Sequence, residues 1–515
     1  MSKKINSAFV AALLMVLGCQ WTVANGQNSL KRDSVPIPVV DIDTIMKHIV
    51  ELSSETYEGR LAGSEGYNRA MRYVEREMAR YGVRPVDGKK WERPFALECN
   101  EVENAKFNTY MPGSKHKRVF SLGNEFCCAG ATGRGYVDAQ MVFCGYGVDN
   151  ALMNEYAGVD AKGKIVVVLT GLPESHPMPQ GVADRYVSLR DKARAAERHG
   201  AIGMLVVTVS PTCPADEPQG RAWCGELPHM PTFPVLILSH DCGREIFNGE
   251  QMELDSAIAM IDAQGWMAEG EENPHFPLFK KAEIDINARY SPQASTANVV
   301  GILEGADPMY SREIIVVGAS MDGLGQQGGT CLFPGADINA SGVATVLEVA
   351  RVLSDSDYRP RRSVAFVLFS GSEQQYLGSR QFVGDFPLLR RVEAFVGVQN
   401  VGSGDSIVVM GGGRFPTLYD IAWRRDTIGA RNKMVAGGKK SYARGDARAF
   451  DAIGIPSLMF TTQDGMRHNH TTTDMWENID RRILVNVSQL VAETVAQLGE
   501  GLYQGRSQQS RLLRE

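Results

Sequence analysis

The stretch EIIVVGASMDGLG (313–325), followed within ten residues by GADINASGVATVLEVAR (335–351), decides how the chain is read. The first begins as an unbroken apolar run rich in β-branched residues and ends in a small-residue turn. A strand that alternated polar and apolar residues would have one wet face; a continuous run predicts a strand covered on both faces. The second stretch turns on glycine and then repeats apolar residues at helical spacing. Together they predict a strand, a polar loop and a helix, the unit of a layered α/β fold.

The same pattern recurs outward. ANVVGIL, SVAFVLF, EAFVGV, SIVVM and PSLMF read as further buried strands, and helices are expected at 339–354, 376–384 and 481–498. The predicted fold class is α/β, a three-layer sandwich with a mostly parallel central sheet. Upstream, 41–56 and 67–81 read as helices; the second carries Ala70, Tyr73, Val74, Met78 and Tyr81 on one stripe. Between them lies the Gly-punctuated loop YEGRLAGSEG (57–66). From about 119 to 284 the texture changes to short strands, long turns and a helix at 184–200. The expected organisation is an N-terminal part (36–118), an inserted small β/α domain (119–284), the core of the main domain (285–500) and a frayed tail (501–515).

Composition narrows the function classes. With 515 residues, 43% hydrophobic and 22% charged, the chain is long enough for two or three packed domains. A net charge of −6 gives no basic footprint, so nucleic acid is excluded as an expected partner. The first 26 residues combine a charged MSKK, an apolar AFVAALLMVLG and a small-residue ANGQ, the pattern of an export signal. Cys19 after Val-Leu-Gly leaves two alternatives, a lipid anchor at Cys19 or cleavage before Gln27. No segment has the roughly 18 apolar residues a transmembrane helix needs. The expected location is periplasmic, anchored to the outer membrane, or extracellular. Export permits disulfides, and Cys213 and Cys224 flank a Pro-rich loop where one would serve; the other cysteines read as small buried hydrophobes.

Five loops fall at the carboxyl ends of the predicted strands, where α/β sheets collect ligands. They are SMD (320–322), GADINASG, SGSEQQYLGS (370–379), QNVG (399–402) and RHNHTTTD (467–474). With YEGRLAGSEG, TANVVGILEG (296–305) and HTTTDMWENID (470–480), they resemble the di-zinc exopeptidases, the family of aminopeptidases, glutamate carboxypeptidase and the transferrin-receptor ectodomain. GYGV, EYAGVDAKGKIVVV and AAERHGAIGMLVV within 119–284 resemble the protease-associated domain that members of that family carry as an insertion.

The resemblance implies two zinc ions bridged by an aspartate, with a glutamate as general base. Carried onto this sequence, the first ligand histidine falls on Ser320, the bridging aspartate on Ile338, the general base on Ser372 and the second aspartate on Gln399. The ligand positions Glu373 and His470 are retained, as are the neighbours Asp322, Asp337, Asn339, Asp446 and Asp474. Three of five ligands and the base are therefore replaced. A serine hydroxyl does not ionise near neutrality and cannot take the place of a carboxylate base, and isoleucine offers a cation no donor atom. No cofactor is expected, and zinc is the expected ion if any metal binds. Three function classes follow: a catalytically silent exported protein that binds peptide or protein; an exopeptidase with an altered zinc site; and a structural component of the cell envelope.

Overall fold

The computed structural model describes residues 39–130, 132–149, 154–172, 188–209, 229–264, 275–354, 358–429, 431–465, 468–501 and 503. The export signal, Cys19, and the Cys213 and Cys224 pair lie outside the described residues. The apolar runs form strands as expected. Ile314–Ser320, Ser363–Phe369 and Val392–Val398 are buried along their whole length. Ile314–Ser320 lies at the centre, parallel to both of the others, and Ser457–Gln463 continues the parallel set beside Val392–Val398. Antiparallel strands flank this set: Ser406–Met410 on one side and the end of His275–Leu303 on the other.

Helices cover both faces. Ile42–Leu52, Glu65–Arg80, Gly342–Leu353 and Arg481–Gly499 pack their apolar stripes on one side, while Phe382, Ala447 and Phe450 belong to the core on the other. The result is the three-layer sandwich. Glu65–Arg80 begins where the Ser64 hydroxyl accepts from Tyr67 N, a cap that satisfies one free donor of the first turn. Its buried stripe includes Tyr67, Ala70, Tyr73, Val74 and Met78; Tyr81 sits at its end, half-buried.

The inserted domain's helix, expected at 184–200, spans Leu189–Arg198, and two helices of the main domain also differ from the sequence reading. The first helix ends at Leu52, not 56, because the chain turns through a tight bend at Glu55–Arg60 in which Glu58, Gly59 and Arg60 all have positive φ. The central helix begins at Gly342, not 339. Residues 336–341 form a wide turn instead, with Ile338 and Asn339 outside helical geometry because their backbone and side chains bond across the site.

The inserted domain is a parallel set, Ile165–Leu169, Gly203–Val207 and Val235–Leu238, with helices Leu189–Arg198, His240–Phe247 and Leu254–Gln264 around it. Its sheet is continuous with that of the main domain. The 29-residue strand His275–Leu303 pairs with Ser363–Phe369 through its end and with Gly135–Cys144 through its beginning. Glu92–Tyr110 follows it antiparallel almost throughout. Val102, Ala105 and Phe107 from this second strand, with Ile284, Ile286 and Ala288, join the inserted domain's core. Position 284 thus lies inside a strand, and the two cores meet along paired strands, not across a linker. At the other end, Tyr503 is buried and its carbonyl accepts from Arg362 Nη1 at 2.6 Å, so fraying does not extend to it.

Candidate functional site

The five loops do meet at the carboxyl ends of the parallel strands. Ser320 is the last residue of the central strand, 2% exposed, and its hydroxyl donates to Asp446 Oδ2 at 2.6 Å. Two residues on, Asp322 accepts from the Ser372 backbone N–H with both oxygens, at 3.1 and 2.9 Å. The retained Asp322 therefore holds the loop that carries the general-base position. Ser372 is half-buried, and its hydroxyl as well as its backbone N–H bonds Asp322.

The GADINASG turn is fixed from several directions. Asp474 accepts from Asp337 N at 2.7 Å and Ile338 N at 3.0 Å. Asp337 in turn accepts from Gly402 N at 2.7 Å, and from the hydroxyls of Ser341 and Ser403. Asn339 donates to the carbonyls of Ser320 and Val398 and accepts from Asn400 N. Ile338 itself, half-buried, offers only aliphatic carbon. Gln399 contributes an amide 3.5 Å from the Tyr376 hydroxyl. His470 Nε2 donates to Glu373 Oε1 at 3.1 Å, and both side chains are largely buried. His468 turns to the Thr473 hydroxyl at 2.8 Å.

Burial dominates the electrostatics. Removed from water, Asp322 is pushed up to about 7, aided by the charge of Glu373; Asp474 is also pushed up to about 7, aided by Asp337. Asp446 is raised to about 6 by burial alone, against the bonds that hold it charged, and burial raises Asp337 as well. One cation balances part of this. Arg60 is fully buried, with its guanidinium bonded to the carbonyls of Leu52, Met321, Pro334 and Gly335. Its charge faces Asp474 and Asp322. The sequence reading missed Arg60: YEGRLAGSEG stood out as a loop, and the positive φ of Glu58, Gly59 and Arg60 is what turns the arginine inward. The available signal was an arginine set directly after Gly59 in a glycine-punctuated loop.

Does this donor set fit two bridged zinc ions? It does not. Such a centre needs ligand atoms converging from several sides. Asp337 and Asp474 spend their oxygens on backbone N–H groups and hydroxyls, Ser320 donates away to Asp446, and Ile338 has nothing to give. Only Glu373 Oε1 and His470 Nε2 come together. Among the described residues no three His, Cys, Asp or Glu side chains form a metal-holding group.

The comparisons agree with the architecture. Residues 298–495 match peptidase family M28, and residues 133–246 match the PA domain. Human transferrin receptor protein 2 is 23% identical over 302 residues, 53% of this chain. The match spans only 34% of that receptor's length. An aminopeptidase from Aneurinibacillus sp. strain AM-1 superposes with a TM-score of 0.58 at 21% identity, covering 89% of this chain and 94% of that one. BSAP, a zinc aminopeptidase from Bacillus subtilis, gives 0.59 at 18% identity, covering 90% and 96%. At such identities the likeness establishes the fold. The M28 match over the sandwich and the PA match over the insertion together support the zinc exopeptidase family with a PA insertion.

Proposed function

We propose that this chain is an exported, catalytically silent relative of the M28 aminopeptidases that binds peptide or protein ligands through the old cleft. One observation carries the reading: of the side chains at ligand positions, only Glu373 and His470 present donor atoms to one point. Two donors without a bridging carboxylate or a general base cannot assemble and deprotonate a water between two ions. The loops nevertheless keep a dense hydrogen-bond network, which holds the cleft's shape without the metal chemistry. The PA domain and the relatives' peptide chemistry support a peptide or protein as ligand. Export rests on the first 26 residues, with lipidation at Cys19 or release before Gln27 as its two outcomes.

An altered exopeptidase with a single zinc ion is the second reading, because the 3.1 Å approach of Glu373 and His470 also suits two ligands of one ion. Elemental analysis of the purified protein, with aminoacyl p-nitroanilides as substrates, decides between them. The silent reading expects far less than one zinc per chain and no turnover. Stoichiometric zinc, with hydrolysis lost on chelation and in Glu373→Ala, overturns it.

A further inference from the structure

The segment KKSYARGDAR (439–448) carries four cations and one carboxylate, in a chain whose net charge is −6. Lys440, Tyr442, Arg444 and Arg448 are exposed, Tyr442 by 73%, while Ala443, Asp446, Ala447 and Phe450 are buried. The buried set anchors the segment. The Phe450 ring lies 5.7 Å from that of Phe382, so the helix Ala447–Ala452 packs against Leu377–Asp385. Arg380 stands exposed on that second helix, its backbone N–H bonded to Tyr376 O at 3.2 Å. The two segments meet again at the edge of the site, where a side chain added at Gly445 would meet Gln399 Oε1 at 2.7 Å and Tyr376 Cε1 at 3.7 Å. Arg380, Arg444 and Arg448 therefore flank one corner of the site.

These cations are unanswered. The segment's own carboxylate, Asp446, is turned inward to the Ser320 hydroxyl. Lys439 takes Asp420 and Arg414 takes Asp451, and no described carboxylate pairs with Arg380, Lys440, Arg444 or Arg448. Exposed arginines elsewhere, such as Arg118, Arg244, Arg289 and Arg361, each hold one. Like charges gathered without counter-charges repel one another, and a partner of opposite sign relieves that repulsion while being steered to the spot. Composition narrows the partner. Tyrosine and arginine are the residues enriched where protein meets protein, and an exposed tyrosine among arginines has that character. A membrane suits the surface less. Val40, near the start of the described chain, packs in the opposite layer of the sandwich from Ala443, Ala447 and Phe450, so the upstream segment leaves from the other side.

We propose that Arg380, Arg444 and Arg448, with Lys440 and Tyr442, form a docking surface for an acidic segment of a partner protein, a run of aspartate or glutamate side chains. The surface lies outside the cleft and does not depend on what the cleft binds.

Calorimetric titration of the mature full-length protein at low salt tests this. The probes are two acetylated, amidated dodecapeptides, one alternating glutamate with glycine and the other glutamine with glycine. The glutamate peptide should bind at least roughly 10-fold tighter, the effect of several exposed ion pairs acting together. That preference should disappear in about 0.5 M salt, where exposed charges are screened within a few ångströms. Combining Arg380→Glu, Arg444→Glu and Arg448→Glu should abolish it; all three side chains are exposed, so the melting temperature should hold. The salt comparison on the unaltered protein stands even where that variant fails to fold. Equal binding of the two peptides overturns the proposal, as does a glutamate preference that survives the triple charge reversal in a folded protein. Phosphatidylglycerol vesicles bound through the same three arginines, with the glutamate peptide unbound, make the surface a lipid-facing one and overturn the protein partner.

Discussion

Replacing Asp474 tests whether the retained carboxylates now serve the fold. Its two oxygens hold the backbone N–H groups of Asp337 and Ile338 at 2.7 and 3.0 Å, and it is 2% exposed. In Asp474→Ala both N–H groups lose a charged acceptor at about 1.5–3 kcal/mol each. Against this stands the cost of burying the carboxylate, visible in its rise to about 7. The loss also removes a charge that faces Arg60. The net expectation is a destabilisation of about 2–4 kcal/mol, on the scale of breaking a buried network. Asp474→Asn keeps one acceptor oxygen and the side-chain volume, so about 1–2 kcal/mol is expected. Urea unfolding at pH 7.5 measures both variants, and hydrogen exchange at 336–341 shows where protection is lost. The expected order is Ala below Asn below wild type, with exchange rising first in that turn. An alanine variant within about 0.5 kcal/mol of wild type, the size of an ordinary surface change, refutes the assignment of Asp474 as an anchor.

Three further outcomes are expected. Restoring Ser320→His, Ile338→Asp, Ser372→Glu and Gln399→Asp together should recover zinc uptake by elemental analysis, whereas each single change should not, because ligands of one site act as a unit; a folded quadruple variant that takes up no zinc would show that the cleft has been remodelled. Asp322, Asp446 and Asp474 all have folded values above the ordinary 3.8, so the folded state keeps protons that the unfolded chain releases, and their contribution to stability falls as pH rises from about 4 through about 7. His48 and His229, held neutral by burial, oppose this below pH 6.5, so the window to examine is pH 6.5 to 8, where Asp322 at about 7 still titrates: the urea midpoint should fall across it, and Asp322→Asn should flatten the fall; an unchanged slope refutes the assignment. Finally, a fragment spanning 92–303 should fold cooperatively, while 119–284 should not, because the shorter piece omits Val102, Ala105, Phe107, Ile286 and Ala288 from the inserted domain's core; circular dichroism melts of the two fragments check this.

Much of this protein is written locally. Runs such as EIIVVGA and SVAFVLF state their own burial, since a strand covered on both faces must be apolar at every position. The glycine-punctuated loops state where the chain turns, and what Ser320, Ile338, Ser372 and Gln399 can offer a metal or a proton is a property of residue type that needs no coordinates. What the retained residues now do was not local. Arg60 reaches carbonyls at 321, 334 and 335, more than 260 positions away in sequence. Asp474 is joined to a turn 136 positions before it, and Ser320 to Asp446 across 126. Periodicity records how often a residue meets water, because that repeats with each turn or pleat. Which donor meets which acceptor depends on where distant segments are brought by packing, and a buried polar group acquires its role only when that neighbour arrives.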